Sequence, residues 1–385
     1  MSRMICLVSR QHIPNLLSVQ SIKPDYLTLI VTSKMEEEGR DKQLLNALKE
    51  GGLNFGPQKS EIKKLTDENS INEILELLEK IHDEHREDKL IVNLTGGTKP
   101  MSIGAYEYSK QNKLQTIYVP EGRQHMAIDL LSESSMHLTH HISTGEFLAG
   151  YGFDLLNNGN RLSKLEEKAK QWLEISVEMA KYCHDNYIIM RNDTIVIENE
   201  NLRRLIANKL GFSETGSISR RSLDGYALEF LKGKWLEVFV WGLLLPLVGR
   251  GIWDLHLGVL AGKRGQGENN DLDVSFIRNQ SLCIVECKTG RYDGDRDNIL
   301  YKIEAIKSGP KALKVSTFLA TTAPDVIDPL TGEIKKSLKN RCELYGCEII
   351  HGEIISKLAN LYGMDDEELI KNVAREFKIK LEPQK

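Results

Sequence analysis

The chain has 385 residues, a net charge of −4 from 51 basic and 55 acidic side chains, and 41% hydrophobic content. That length exceeds one ordinary domain and supplies apolar material for two cores. The charge balance argues against general coating of nucleic acid but is compatible with a local basic groove, and the longest apolar run, Val238 to Val248, is about half a membrane span. The opening MSRMICLVSRQHIPN is too short in apolar residues for a signal peptide, so a cytoplasmic protein with no membrane partner is expected. Six scattered cysteines, never spaced Cys-x-x-Cys, read as reduced thiols. HLTHH, His137 to His141, lacks the glutamate between histidines that a zincin needs.

Residues 4 to 131 alternate strand-like and helix-like segments. MICLVS is a short apolar strand ending in polar Ser9, Arg10 and Gln11, and IPNLLSVQSI starts a helix with Pro14 in its first turn. YLTLIVTS is a second buried strand. EEEGRDKQLLNALKEG predicts one amphipathic helix stopped by Gly51 and Gly52. NSINEILELLEKIHDEHRED is a helix with Ile74, Leu75, Leu78 and Ile81 on one side. KLIVNL is a third strand, TGGTKPMSIGAYEYSKQ a glycine turn opening a helix, and LQTIYVPEG and HMAIDLL are further strands. Such alternation implies an α/β fold, a mostly parallel sheet with helices on both faces. In these sheets ligands bind beyond the carboxyl ends of the strands. At NLTGGTKP, Gly96 and Gly97 allow close backbone approach, Thr98 can cap the helix, and the free amides beside Lys99 suit an anion. A glycine turn needed only for packing is the plainer alternative. The spacing is wrong for a Walker loop.

VNLTGGTKPMSIGAYE, LVSRQHIPNLLSVQSIKPD and VTSKM resemble the motifs of CARF domains, the Rossmann-like sensors of cyclic oligoadenylate in type III CRISPR defence. The resemblance covers roughly residues 1 to 140. It implies a homodimer binding one ring, cyclic tetra-adenylate, across its two-fold axis. It also implies Asn93, Thr95, Gly96, Gly97, Thr98 and Lys99 as ligand-binding residues, with Ser9 and Gln11 from the first strand. A four-fold ring read by a two-fold dimer needs only self-complementary halves.

RLSKLEEKAKQWLEISVEMAKYCHDN predicts one long helix joining the sensor to the C-terminal half, and SETGSISRRS has loop composition. DGYALEFLKGKWLEVFVWGLLLPLV predicts an apolar helix from about Tyr226, bent near Gly233, in which Glu237 needs a partner or a job unless it lies exposed on the helix's polar side. DLDVSFIRNQSLCIVECK predicts a hairpin. A turn centred on Asn279-Gln280 sets Asp273 opposite Glu286 and Asp271 opposite Lys288. Two facing carboxylates repel without a cation, and Mg²⁺ or Mn²⁺ prefers such oxygens. Lys288 points the same way and can orient a water, while Cys287 points into the core and offers its carbonyl as a further metal ligand. An ordinary hairpin with a solvated charged face is the alternative. NILYKIEAIKSGPKALKVSTFLAT predicts a helix and a strand. Its Lys302, Lys307, Lys311 and Lys314, with Arg291 and Arg296, form a basic run that suits steering of a nucleic-acid backbone or, equally, a solvated helix face.

FLKGKWLEVFVW, NNDLDVSF and CIVECKTGR together resemble the PD-(D/E)xK nuclease half of CARF-containing CRISPR ancillary nucleases, over roughly residues 225 to 325. The resemblance implies a restriction-endonuclease-like α/β domain with metal ligands Asp273 and Glu286, Lys288 as water-positioning base and Glu237 as an added carboxylate. Asp271 and Val238 depart from the family's pattern, the first keeping the charge and the second losing one. The expected organisation is a sensor domain at 1–145, a helical linker region at 146–220 and a nuclease domain at 221–385. The expected activity is cleavage of single-stranded RNA or DNA, with nicking of duplex DNA, leaving 5′-phosphate and 3′-hydroxyl ends. Ligand binding is expected to turn two nuclease domains toward one another. A non-catalytic, ligand-gated DNA-binding regulator, and a repair nuclease whose first half binds an ordinary nucleotide, are the rival readings.

Overall fold

A computed structural model of the chain describes residues 1–123, 125–157, 159–183, 188–190, 194–211, 217–264, 269–289 and 315–382. It divides into two compact units, residues 1–155 with 263–267, and residues 156–262 with 268–385.

The first unit is built on β1 (Ser2–Leu7), β2 (Tyr26–Thr32), β3 (Ser60–Leu65), β4 (Lys89–Asn93), β5 (Gln115–Tyr118), β6 (Met126–Asp129) and β7 (Ser135–His137). The sheet order is β3-β2-β1-β4-β5-β6-β7, parallel through β5 and antiparallel beyond it. Its helices are α1 (Ile13–Ile22), α2 (Ser33–Glu37), α3 (Arg40–Glu50), α4 (Ile71–Glu84), α5 (Lys99–Gln111) and α6 (Thr144–Gly150), with a short strand β8 (Phe153–Leu155) after them. Ile5, Leu7 and Ile30 pack with Ile74, Leu78 and Ile81 of α4 and Met101 and Ala105 of α5. Met4 and Cys6, which alternate with them along β1, are equally buried, so both faces of the sheet are covered. The single helix expected over Glu36 to Gly51 is two, because Gly39 adopts φ 67° and breaks it. Buried Glu146 anchors α6 through Gln20 Nε2 at 3.2 Å and His140 Nε2 at 2.8 Å.

Residues 146–220, expected as a helical linker, hold α6, β8, a long helix α7 (Gly159–Lys181), α8 (Glu200–Leu210) and an antiparallel sheet of β9 (Ile188–Met190), β10 (Thr194–Ile197) and β11 (Ser217–Ser219). Ala169, Trp172 and Ile175 of α7 lie in the second unit's core, where the Trp172 ring packs tilted against Phe230 with centroids 4.7 Å apart. That unit continues with α9 (Gly225–Glu229), a wide helical turn at Phe230–Lys234, and α10 (Trp235–Leu244). Its strands are β12 (Trp253–Lys263), β13 (Asn269–Arg278), β14 (Ser281–Lys288), β15 (Ser316–Thr321) and β16 (Cys347–His351), hydrogen-bonded in that order. β12 to β14 pair antiparallel, and β14 to β16 pair parallel. Val274, Phe276, Cys283, Val285, Phe318 and Ala320 present one sheet face to α7 and α10. On the other face Leu319 packs with Cys342 of α11 (Lys336–Tyr345) and Cys347. α12 (Gly352–Leu361) and α13 (Asp366–Glu376) complete the unit. No helix among the described residues is long and apolar enough to cross a membrane. The helix expected before β15 lies outside the described residues, as does the basic run Arg291, Arg296, Lys302, Lys307, Lys311 and Lys314.

Candidate functional sites

Each unit has a chemically distinct end of its sheet. In the second, the hairpin register decides the geometry. Arg278 pairs with Ser281 and Val274 with Val285, the register of a two-residue turn at Asn279-Gln280. Both turn residues have positive φ, 50° and 57°, as a type I′ turn demands. One step beyond the last pair, Asp273 comes to the level of Glu286. The Cys287 N–H donates to Asp273 Oδ2 at 2.7 Å, so the Asp273 carboxylate is held across the strand gap. Glu286 is 6% exposed, Cys287 packs against the apolar core, and Lys288 is exposed at the strand end.

Glu237 reaches this cluster from α10. Gly233, with φ 176° and ψ −29°, interrupts the helix in the wide turn before it, the kind of irregularity that re-aims a helix at a functional site. Thr289 Oγ1 occupies the space a Cβ on Gly233 would take, 2.6 Å from that position, and donates to the Lys232 carbonyl at 3.4 Å. The turn before α10 is therefore fastened to the end of β14. Burial raises the Glu237 carboxyl well above the usual range, and the negative charge of Asp273, then of Asp271 and Glu286, raises it further, with only partial relief from Lys234. Glu237 thus feels three other carboxylates at one strand end. The Gly233–Thr289 contact is absent from any sequence reading of the site. Its one signal was a glycine inside an otherwise helical run.

In the first unit, the loop after β4 follows β1 closely. A Cβ on Gly96 would fall 1.8 Å from the Leu7 carbonyl oxygen, so this glycine is required by strand packing. Gly97 has φ 77°. Asn93 is fully buried. Its amide donates to Asn15 Oδ1 at 2.9 Å, and its Oδ1 accepts from the Thr95 N–H at 3.1 Å and from Thr95 Oγ1 at 2.7 Å. Asn15 in turn donates to the Leu7 carbonyl at 2.9 Å, and Thr95 Oγ1 accepts from the Val119 N–H at 2.9 Å. Thr98 caps α5, accepting from the Met101 N–H at 3.4 Å and donating to the Glu68 carbonyl at 2.7 Å. The side chains of Asn93, Thr95 and Thr98 therefore shape the loop, while Lys99 is exposed at the start of the 13-residue α5. Asn15 was missed from the sequence, although a lone amide in an apolar helix start was the available signal.

At the end of β1, Ser9 Oγ lies 3.3 Å from the Gln11 N–H, and Gln11 is exposed. Arg10 Nε donates to Glu38 at 3.0 Å and Arg40 Nε at 2.9 Å. Arg10 leads Arg40 in holding the Glu38 carboxyl down, to about 2. His12 is buried, and burial followed by the nearby Arg40 charge lowers it to about 4, so its ring is neutral. Among the described residues the histidines of HLTHH bring no three ligand atoms together, and His140 is hydrogen-bonded to Glu146. Glu61, Glu84 and His85 do approach within 4.8 Å of one another, but Lys63 already bridges Glu61 and Glu84 at 3.3 and 2.6 Å.

The fold and the two strand ends define a protein class: a Rossmann-like ligand sensor followed by a domain with clustered carboxylates on a nuclease-like sheet. Residues 4–147 match the family model of the Card1 CARF domain, and residues 224–345 match that of the Card1-like endonuclease domain. The chain belongs to the family of CARF-domain endonucleases that these two models describe. Among curated proteins, none matches it. Among solved structures it is similar to Can2 from Sulfobacillus thermosulfidooxidans in complex with cyclic tetra-adenylate. The two are 20% identical, with 97% of this chain and 99% of that chain covered, at a TM-score of 0.67. It is also similar to protein VC1899 from Vibrio cholerae, 17% identical over 98% of each chain at a TM-score of 0.71. A type III CRISPR defence DNA nuclease activated by cyclic oligoadenylate is 15% identical, with 89% of this chain and 51% of that chain covered, at a TM-score of 0.51. At these identities the likenesses to solved structures show the fold.

Proposed function

We propose that the chain is a cyclic-oligoadenylate-activated, divalent-metal-dependent endonuclease of type III CRISPR defence, acting as a homodimer in the cytoplasm. The observation that carries the reading is the meeting of Asp273 and Glu286 at the open end of one hairpin, with Glu237 pressed into the same negative field. Such a set is costly without a cation. Its donors are hard oxygens, which fit Mg²⁺ or Mn²⁺. Asp273 and Glu286 would hold the ion, with the Cys287 carbonyl as a further oxygen. When bound, the ion offsets the charge that builds on the phosphate and acidifies the attacking water.

The chain's own groups do the rest. The Cys287 N–H fixes the orientation of Asp273 before substrate arrives. Lys288 stands two residues beyond Glu286 on the same strand face, where its ammonium orients the attacking water and meets the phosphate. In the sensor, the α5 N-terminal amides and Lys99 bind phosphates of cyclic tetra-adenylate, and Ser9 and Gln11 bind from the neighbouring strand end. Asn93, Thr95, Gly96, Gly97 and Thr98 present those amides. The ligand carried by Can2 supports the choice of ring. Activation is a shift toward the cleaving state, and it requires that state to bind the ring more tightly. Single-stranded RNA or DNA is the substrate, and duplex DNA is nicked.

The test is to incubate labelled single strands and supercoiled plasmid with Mn²⁺, with and without cyclic tetra-adenylate. Cleavage is expected only with the ring, and Glu286→Ala should lower it by about 100-fold or more. Equal cleavage without the ring removes the gating. Cleavage by Glu286→Ala at the native rate removes the metal site. Ring binding with no cleavage by the native chain favours the regulator.

A further inference from the structure

Lys234 has no part in the chemistry described so far. Its ammonium lies 3.9 Å from Glu237 Oε2, and its side chain is 40% exposed against 14% for Glu237. A lysine three residues before a glutamate on a helix is an everyday surface pair and a weak one. Two features set this one apart. The backbone that delivers Lys234 is fixed by the kink at Gly233, into which Thr289 packs, so the lysine and the end of β14 are placed by one contact. Lys288 immediately precedes Thr289. The turn that carries Lys234 is thereby fastened to the strand end that carries Lys288, beside Glu237, whose carboxyl feels the charges of Asp273, Asp271 and Glu286.

A nucleic-acid strand is a polyanion, and here it must approach Glu237, Asp271, Asp273 and Glu286. That approach needs positive charge able to turn toward the substrate. The 3.9 Å separation is at the outer edge of an ion pair, and the exposure leaves the ammonium free to swing. We propose that Lys234 is a substrate-binding residue whose ammonium leaves Glu237 to hold a backbone phosphate of the nucleic-acid strand. The proposal rests on the nuclease reading above and names the group that receives its substrate.

The test is steady-state cleavage of a labelled single strand by full-length protein with Mn²⁺ and cyclic tetra-adenylate, over a series of salt concentrations. Lys234→Gln should raise KM roughly tenfold, with kcat within about twofold of native, and should flatten the slope of log(1/KM) against log[salt] by about 0.7. Lys234→Arg, which keeps the charge, should keep the native KM and slope. If Lys234 only pairs with Glu237, Lys234→Gln shifts the melting temperature and leaves KM and the salt slope unchanged, and the proposal falls. Equal loss in Lys234→Arg and Lys234→Gln also overturns it. If the native chain does not cut at all, the nuclease reading falls and this proposal with it. If it cuts and Lys234→Gln has the native KM, this proposal falls alone.

Discussion

At the scale of single residues, environment separates side chains that composition treats alike. His256 on β12 lies between two carboxylates, with Nδ1 3.0 Å from Glu166 on α7 and Nε2 3.1 Å from Asp254. Burial pushes its pKa down, but the hydrogen bonds and charges of Asp254 and Glu166 outweigh it and hold the group up at about 9. His12 has no such partners and goes the other way, to about 4. The sign for His256 follows from its folded-state pKa lying above the ordinary 6.5. The stabilisation is fully present below about pH 6.5 and is lost as pH rises through about 9. His256→Gln should therefore lower the melting temperature at pH 6.5 by roughly 5 °C, on the order of 2 kcal/mol. The gap between native and variant should close by about pH 10. A gap that is the same at both pH values, measured by calorimetry, would show that the imidazolium is not what holds α7 to β12. Neither carboxylate could be assigned to His256 from sequence, because Glu166 is 90 residues away and Asp254 reaches it only through a left-handed backbone position, φ 48°.

At the scale of elements, alternation and register were readable, and the fine structure of the loops was not. The parallel strands of the sensor are continuous apolar runs, the start of β13 alternates with a period of two, and the faces of the continuous run in β14 follow from its pairing with β13. The hairpin register followed from the position of its turn, even though Asn279-Gln280 is a poor turn signal. Asn279 accepts the left-handed conformation readily, and the flanking pairs enforce it on Gln280, which would not choose it alone. The break at Gly39 was not legible, because an isolated glycine inside a helical pattern can be tolerated without ending the helix. The two glycines of TGGTK look equivalent in sequence, yet the structure separates them. Gly96 faces the Leu7 backbone, which cannot yield, whereas Gly97 has a left-handed φ and meets side-chain carbons of Leu7 at 3.1 and 3.3 Å. Gly96→Ala should cost more than about 4 kcal/mol and abolish ring binding. Gly97→Ala should cost about 1–2 kcal/mol. Separate melting of the two units would show it, with the nuclease transition unmoved in both variants. Equal costs for the two alanines would mean that the loop is held by its backbone conformation alone.

At the scale of the whole molecule, the order of sensor and nuclease was legible from two motif sets lying nearly two hundred residues apart, TGGTK and VECKTG. The role of residues 146–220 was less so, since helix α7 reads as a connector by its length while Trp172 and its neighbours serve the second unit's core. That placement has a thermodynamic consequence if the ring gates the nuclease. Binding energies at two sites of one chain are linked, so a factor by which the ring tightens nucleic-acid binding must equal the factor by which nucleic acid tightens ring binding. Typical couplings are about 1–3 kcal/mol, or roughly 5–150-fold. The Glu286→Gln variant, expected to bind without cutting, allows both sides to be measured by titration in Mg²⁺. The ring dissociation constant should fall on saturation with a single strand by the same factor as the strand's falls on saturation with the ring. Two factors of one mean that the ring controls a step after binding. Unequal factors would show that the two titrations do not report one coupled equilibrium, which is what a gate carried by a population shift requires.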